Sequence, residues 1–240
     1  MHLSTPAIVC ALLPHGEHGA VVRFLTPGHG LVAGYVHGGR SRKLRPVLQA
    51  GNGVALRLDA RTDSQLASAA VELVSARAAL ATTAAGLAAL EWLTGLTATV
   101  LAEAVPHPAL YQALDAVVSA IAAGVPALAL GEAVVRYEWL LLAELGFAPD
   151  VSSCAATGAT TDLVFVSPKS SRAVSRGAGL PWAARLLPLP GFLLGDAAAD
   201  AAAVIDGFRL TGHFLERDVL PARAKPLLAN RQRLVGRLAG

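Results

Sequence analysis

A run of cations between two predicted strands is the densest group of charged side chains in the sequence. Four of its eight residues are basic and two glycines precede them, in the order Gly38, Gly39, Arg40, Ser41, Arg42, Lys43, Leu44, Arg45. A loop of this kind is expected to be mobile and to follow a phosphate backbone, and each phosphate contact releases counterions, so binding weakens with added salt. A solvated surface loop is the alternative interpretation. Single-strand binders add aromatic stacking surfaces to such a groove, and the aromatic residues nearby are Phe24 and Tyr35.

A second basic group lies in a stretch, 163–195, that contains no acidic residue. Small hydroxyl side chains stand beside its first cations, which suits phosphate binding, although a polar turn is the alternative. The group consists of Lys169, Arg172, Arg176 and Arg185. A third group is more simply explained as the exposed face of a helix: Arg223, Lys225, Arg231, Arg233 and Arg237.

Covalent, metal and nucleotide chemistry have little support in the sequence. Histidines of the first module lie in or beside turns without nearby cysteines, which is typical of polar surface: His15, His18, His29 and His37. Cys154 has no adjacent histidine, and no Gly-x-Ser-x-Gly motif is present. The pair Gly28-x-Gly30 lacks a third glycine and a following helix, so it is neither a dinucleotide nor a phosphate-loop motif. We therefore predict a protein that is not an enzyme, with no catalytic residue, no metal, no cofactor and no small-molecule substrate.

The elements that must position the cations fall into an α+β arrangement. Short β-branched segments separated by Gly, Pro or Asn occur at 7–13, 20–26, 31–37 and 54–59, with a fifth at 69–74. This punctuation predicts a small closed barrel of the OB-fold type. Ala- and Leu-rich segments with helical spacing follow at 78–104, 108–123 and 128–145, then a loop-rich stretch with a short hairpin at 150–192, then helices at 200–217 and 226–238. The predicted modules are 1–75, an OB-fold; 76–149, a helical bundle; 150–195, a small module; and 196–240, closing helices.

Composition and charge narrow the class of protein. The chain has 240 residues, of which 54% are hydrophobic, and the strongest candidate for a membrane span, 93–106, is short and carries Glu103. The first 13 residues lack a basic region and a cleavage site, and Cys10 and Cys154 give no disulfide framework, so we expect a cytoplasmic protein without membrane contact. Acidic residues collect between 61 and 150, whereas both ends are basic, which favours a polyanionic partner.

Three segments in order resemble the RecO family of bacterial recombinational repair proteins. They are GEHGAVVRFLTPGHGLVAGYVHGGRSRK with VLQAGNGVALRL (16–43 and 47–58), LGFAPDVSSCAATGATTDLVFVSPKSSRAVSRGAG (145–179), and the tail GFRLTGHFLERDVL…RAKPLLANRQRL (207–234). The resemblance covers nearly the whole chain, and the Ala-rich bundle is its least specific part. It implies an OB-fold, a helical domain and an inserted zinc-finger-like module. It also implies binding of single- and double-stranded DNA, strand annealing, recombinase loading, a nucleoid-associated location, and partnership with RecR and the single-stranded-DNA-binding protein (SSB).

One departure from the family concerns zinc. Some members bind zinc through two Cys-x-x-Cys pairs, but here Cys154 is followed by Thr157 at the second position, and no later cysteine exists. Structural zinc needs four ligands of the Cys/His type. We therefore predict a module without zinc, held by apolar packing, in which Cys154 is a partly buried small residue. The packing residues would be Leu163, Phe165, Val166 and Leu180.

Carried over residue by residue, the resemblance assigns DNA contacts and a partner site. The first-rank DNA contacts are Arg40, Arg42, Lys43 and Arg45, with Arg23 and Arg57 as further contacts on the barrel. The second-rank contacts are Lys169, Arg172 and Arg176. The acidic SSB tail, which ends in Phe, needs a cation beside an apolar pocket, and the candidate site is Arg136, Tyr137 and Leu140; the alternative is an ion pair of Arg136 with Glu132. The alternative function is a scaffold whose OB-fold binds partner chains and no DNA.

Overall fold

The N-terminal part of the chain folds as a five-stranded closed barrel. This computed structural model describes residues 2–60, 62, 65–195 and 198–239. The strands are β1 (His2–His15), β2 (Gly19–Thr26), β3 (Gly30–Val36), β4 (Gly53–Asp59) and β5 (Ala67–Ser75), in the order β1-β2-β3-β5-β4. All pairings are antiparallel except the short β3–β5 seam, where Gly34 pairs with Ala67 and Tyr35 with Ser68. The predicted α+β class with an OB-like barrel is confirmed.

Alternation of apolar and polar residues explains why these strands close on themselves. In β4 the side chains of Val54, Leu56 and Leu58 are buried, while those of Ala55 and Arg57 between them are exposed. Each large apolar side chain buried in this way contributes about 1.5–3 kcal/mol. The other strands fill the barrel with Val9, Val22, Phe24, Val32 and Val36. The barrel thus has an apolar interior and leaves its outer face free to carry polar groups.

Two helices pack with the barrel in the same compact unit. After the single turn α1 (Arg77–Leu80), α2 (Ala84–Val100) begins where Thr83 Oγ1 accepts a hydrogen bond from Gly86 N at 3.0 Å. The predicted single helix at 78–104 was wrong at both ends. The helix begins only after the Thr83 cap, and it ends at Val100. Beyond that end, Ala104 N donates to the carbonyl of Leu31 on β3 at 2.9 Å and not to a helix carbonyl. The chain then enters α3 (Pro108–Ala122).

The second unit joins long helices to a small sheet. Helix α4 (Ala127–Glu144) packs against α6 (Ala201–Phe214), and the two approach closely because Gly207 leaves room for the side chain of Val135. Strands β6 (Leu163–Val166), β7 (Ala173–Ser175) and β8 (Leu187–Pro188) form the sheet, in the order β7-β6-β8. Between β7 and β8 lie α5 (Arg176–Gly179) and a 3₁₀ turn, Leu180–Arg185, and a second 3₁₀ turn, Gly191–Leu193, follows β8. A π-helical turn, Leu215–Val219, and a 3₁₀ turn, Ala222–Ala224, follow α6.

The last helix, α7 (Lys225–Ala239), contributes to both compact units. Contacts group Met1–Val125 with Pro226–Leu234, and Pro126–Lys225 with Val235–Gly240. The four sequence modules divided at 75, 149 and 195 stay a prediction. Within the described residues, no helix combines the length and apolar character needed to cross a membrane.

Candidate nucleic-acid interface

Residues 38–45, called here the basic turn, lie in the connection between β3 and β4. The side chains of Arg40, Arg42, Lys43 and Arg45 are all exposed. The backbone is folded into overlapping turns: Ser41 N donates to the carbonyl of Gly38 at 2.8 Å, and Arg45 N donates to that of Ser41 at 2.9 Å. The next turn is closed by Leu48 N, which donates to the carbonyl of Leu44 at 3.0 Å. The segment is therefore a folded turn, whereas a mobile loop was predicted.

Asn52 fixes this turn to the rest of the first unit. Its side chain, 1% exposed, donates from Nδ2 to the carbonyls of Pro46 at 2.8 Å and Val47 at 3.2 Å. Its Oδ1 accepts from the backbone N–H of Ala78 at 3.0 Å. Leu48 adds a buried apolar contact to the barrel core. The four cations consequently stand on a pre-formed base, which limits the conformational entropy lost when a ligand binds.

The basic turn is electrostatically uncompensated. Arg40 Nη1 donates to the backbone carbonyl of Glu17 at 3.2 Å, which orients the guanidinium and leaves its charge in place. Among the residues that the structure describes, none of the four cations forms an ion pair with a carboxylate. An open cavity of about 440 Å³ beside them is lined by Glu17, His18, Gly38, Arg40 and Ser41. Four exposed positive charges, one of which lines a concave surface, favour a polyanionic ligand.

The two other barrel cations have different environments. Arg57 is exposed on the outer face of β4. Arg23 on β2 donates to the carbonyl of Ala98 and forms an ion pair with Glu103, with Nη2 3.0 Å from Oε1. A cation at the last turn of α2 stabilises that helix end. Contact of either side chain with DNA stays a prediction, and for Arg23 the guanidinium would first have to leave these partners.

The second basic group surrounds the β6–β7 hairpin of the other unit. Lys169 is exposed at the turn, where the described residues offer it no ion-pair partner. Arg172 lies 3.6 Å from Asp150 and Arg176 lies 3.1 Å from Asp162, so both of these charges are compensated. Arg217 holds the turn by donating to the carbonyl of Pro168 and to Ser171 Oγ. The structure thus brings the three residues to one hairpin but leaves only Lys169 uncompensated.

The predicted SSB-tail residues lie along α4. Arg136 bonds Glu132 with Nη2 2.8 Å from Oε1, as in the alternative interpretation, and its guanidinium lies 5.4 Å from the centre of the Phe192 ring. Leu140 is partly exposed one turn later, whereas Tyr137 is 1% exposed and lies beneath the surface. The three residues therefore do not form one accessible patch, although Arg136 and Leu140 do share a face.

An apolar groove in the second unit was missed from the sequence. It has a volume of about 70 Å³ and runs between α4 and α6, where Leu128 and Ile205 are exposed. The rest of its lining consists of Ala127, Ala201, Val204, Phe208, Val235 and Leu238. An Ala-rich helix has apolar residues on most sides, so the pattern could not tell which of them stay uncovered.

The segment predicted to form a zinc-finger-like module, 150–195, offers no set of ligands for a zinc ion. Cys154 is the cysteine of this module and Thr157 follows it in place of a second ligand, so the residues present do not fit a structural zinc ion. In the described part of the chain, no group of three or more His, Cys, Asp or Glu could hold a metal ion. Leu163 and Val166 are buried, as the apolar-packing prediction requires, but Leu180 is 59% exposed and that part of the prediction was wrong.

Cys154 is more buried than predicted and has strong hydrogen-bond donors. It is 1% exposed, and its Sγ accepts from Ser175 Oγ at 3.4 Å and from Ser175 N at 3.2 Å. These bonds, first that from the Ser175 hydroxyl and then that from its N–H, lower the pKa of the thiol from 9.0 to about 6, although loss of hydration opposes them. By contrast, burial raises the pKa of Cys10 to about 12.

We expect the Cys154 thiol to ionise in the folded protein with a midpoint near pH 6. The ultraviolet absorbance of the thiolate measures this ionisation. Because the folded pKa lies below the unfolded value, this interaction stabilises the fold fully above about pH 9 and is lost as the pH falls towards 6. Cys154→Ser should abolish the transition and Cys10→Ser should keep it. A single transition near pH 9 in the unmodified chain would contradict the hydrogen-bond account.

Comparison with known proteins identifies related chains. Residues 1–77 match the family described as "Recombination protein O N terminal", and residues 81–226 match "Recombination protein O C terminal". A protein called DNA repair protein RecO from Rhodospirillum rubrum is 47% identical over 241 residues, which cover 98% of this chain and 95% of the relative. Proteins of the same name from Rhodospirillum centenum and Phenylobacterium zucineum are 46% and 45% identical, and the matches cover 99% and 100% of this chain and 94% and 98% of the relatives.

Proposed function

Because this chain belongs to the RecO family, with a role in DNA repair and recombination, we propose that it binds single- and double-stranded DNA and anneals complementary strands. With RecR, it would help to load a recombinase onto SSB-coated DNA. The observation that carries the proposal is the basic turn: four exposed cations, none in an ion pair with the residues that the structure describes, on a folded segment anchored by Asn52.

Annealing by this surface is an electrostatic process. Two strands repel each other because every nucleotide carries a negative phosphate, and neutralising phosphates on one strand lowers the barrier to pairing with the other. The anchored turn presents its cations without first having to order itself. Lys169 would supply a further contact, and Arg57 another on the barrel. Arg172 and Arg176 would join only by exchanging Asp150 and Asp162 for phosphates.

This mechanism requires no covalent step, no cofactor and no small-molecule substrate. Positioning and charge neutralisation are sufficient for annealing, so we propose a mediator that is not an enzyme. Its location would follow from its ligand, since a protein that binds DNA without sequence preference accumulates on the nucleoid.

The SSB tail would bind on α4. Its acidic residues would compete with Glu132 for the Arg136 guanidinium, and its terminal Phe would pack on an apolar surface. Leu140 offers such a surface one helical turn away, and Tyr137 would support it from below. An exposed ion pair such as Arg136–Glu132 contributes at most about 1 kcal/mol, so an acidic peptide can displace it at modest cost.

Annealing of complementary labelled strands, naked or coated with SSB, tests both parts of the proposal. The unmodified chain should speed annealing of both substrates well above the spontaneous rate. Arg136→Ala should keep the rate on naked strands and lower that on coated strands by about fivefold, the loss expected for one charge-assisted contact of about 1 kcal/mol. Arg209→Ala, which removes an exposed arginine paired with Asp206 on α6, is the matched control and should change neither rate.

Annealing of naked strands at the spontaneous rate would overturn the DNA part of the proposal. Equal loss on naked and coated strands in Arg136→Ala would instead overturn the SSB-tail part, because the arginine would then act on DNA itself.

A further inference from the structure

An open cavity of about 680 Å³ lies on the outside of the barrel, at the seam where β3 pairs with β5. We call it the aromatic cleft. Its described lining includes His15, Tyr35, His37, Asp59, Gln65 and Ser68. These residues come from the end of β1, from β3 and the residue after it, and from β4, β5 and their connection. The cleft is separate from the cations of the basic turn, although both belong to the first unit.

Three aromatic rings meet in this cleft. Tyr35 is the central ring: the centre of the His37 ring lies 4.7 Å from it at an interplanar angle of 89°, and that of His15 lies 5.8 Å away at 84°. Edge-to-face contacts of this kind hold rings in defined orientations. Of the two aromatic residues that the sequence offers near the basic turn, Phe24 is fully buried in the barrel core, so Tyr35 is the one that a ligand can reach.

Gly19 makes room for the central ring. A Cβ atom placed on Gly19 would lie 2.1 Å from Tyr35 Oη, and the next two atoms that it would meet belong to the same tyrosine ring. The backbone of Gly19 does not need the left-handed region, because its φ is not among the positive values. The glycine therefore serves the position of Tyr35, and an alanine there would displace the ring without straining the strand.

The polar groups of the cleft match the hydrogen-bonding edge of a flat, uncharged ligand better than they match a phosphate. Gln65 has two donors and an acceptor, and Ser68 is a donor and an acceptor. Asp59, whose side chain is 57% exposed and bonds His2 Nδ1 at 2.5 Å, would repel a phosphate but accept from an exocyclic amine. A flat aromatic ligand with mixed donors and acceptors and no negative charge fits this set, and a nucleobase has these properties.

We propose that the aromatic cleft binds an unstacked nucleobase of the same strand whose phosphates lie on the basic turn. This inference rests on the proposed function of the basic turn. His37 and Arg40 are three positions apart in the sequence, so their Cα atoms are at most about 11 Å apart and a single strand can reach both. Bases in a duplex are stacked on their neighbours and are not free to enter, so the cleft selects single strands.

Affinities for an ordinary single strand and for an abasic strand of equal length separate stacking from charge. The unmodified chain should bind the abasic strand about 5- to 150-fold more weakly, the range expected when one base loses its stacking partner. Tyr35→Leu and Gly19→Ala should weaken binding of the ordinary strand within the same range and leave the abasic strand unchanged. Phe147→Leu, which removes an exposed ring from the second unit, is the control and should change neither affinity.

Equal affinity of the unmodified chain for both strands would overturn the cleft proposal while leaving the basic turn intact. A loss of affinity in Tyr35→Leu that is equal for both strands would overturn it too, because the tyrosine would then support the fold rather than a base. Failure of the unmodified chain to bind either strand would instead overturn the proposed function, and the cleft proposal with it.

Discussion

Replacing Arg40, Arg42, Lys43 and Arg45 together by alanine is expected to weaken single-stranded DNA binding by about 100-fold at low salt. If each cation neutralises one phosphate, the affinity due to four contacts falls about 50-fold between about 50 and 200 mM salt. The affinity lost on removing the four cations is therefore larger at the lower salt concentration. Fluorescence anisotropy of a labelled strand at fixed low salt measures this change. The four side chains are exposed and form no ion pair with the described residues, so the fold should be unaffected.

A control variant with the same change in net charge makes the expected loss specific. Four exposed cations outside both the basic turn and the second basic group serve for it: Arg209, Lys225, Arg233 and Arg237. Their replacement by alanine should weaken binding much less, because these cations make no proposed phosphate contact. They attract DNA only through a general field that salt screens over roughly 10 to 30 Å between about 100 and 10 mM. Equal losses in the two quadruple variants would mean that net charge, and not the basic turn, governs binding.

Arg77→Ala is expected to give the largest loss of stability, about 3 kcal/mol in the free energy of unfolding. The side chain is 9% exposed and bonds Asp115 Oδ1 at 2.5 Å, Gly51 O at 3.1 Å and Ser119 Oγ at 3.2 Å. Removing one partner of a largely buried pair costs about 3–5 kcal/mol, and we take the lower end because Asp115 is 46% exposed. The melting temperature should fall by about 6–12 °C in thermal unfolding followed by circular dichroism.

A milder variant of the Arg77–Asp115 ion pair provides a comparison for the loss of stability in Arg77→Ala. Asp115→Asn keeps an oxygen acceptor but leaves the buried Arg77 charge without its carboxylate, so it should cost about 2 kcal/mol, less than Arg77→Ala. Arg77 bonds Gly51, but the Asn52 bonds that anchor the basic turn do not involve the Arg77 side chain. DNA binding well below the melting temperature should therefore decline only slightly. A melting temperature unchanged in Arg77→Ala would contradict the assigned bonds.

Local pattern was enough to predict the barrel strands, because alternation and turn residues are local properties. The strands β2, β3 and β4 begin and end within about one residue of the segments at 20–26, 31–37 and 54–59. β1 was underestimated by several residues at its start, 7 against His2, because Pro6 lies inside it. Proline is tolerated there because β1 pairs only with β4 at Pro6, since its pairing with β2 begins at Ile8.

The environments of single polar residues could not be predicted, because partners distant in sequence determine them. Asn52 sits in a Gly-Asn-Gly sequence that indicates an exposed turn, yet it is buried and bonds Ala78, 26 residues away. Arg23 resembles an exposed strand cation until Glu103, 80 residues later, is seen to bond it. Arg40, Arg42, Lys43 and Arg45 are exposed, as both interpretations of the basic segment require, but their contact with DNA stays a prediction.

The candidate site on α4 shows the limit of helical periodicity. Arg136, Tyr137 and Leu140 are neighbours on the helix, but Tyr137 and the adjacent Glu138 point into the protein. Because α4 carries apolar residues on most sides, periodicity did not identify its buried face. The aromatic cleft was equally hidden, since His15, Tyr35 and His37 come together only through the pairing of β1, β2 and β3.

The dependence of single-stranded DNA affinity on salt concentration tests the central claim most directly. The logarithm of the binding constant, plotted against the logarithm of the salt concentration, should fall steeply for the unmodified chain. In the quadruple alanine variant of the basic turn the slope should be shallower by about 3, which is about 0.7 for each lost phosphate contact on a single strand. Parallel slopes would show that the phosphates lie elsewhere on the protein. No binding at low salt would contradict the DNA-binding account and leave a barrel that binds partner chains.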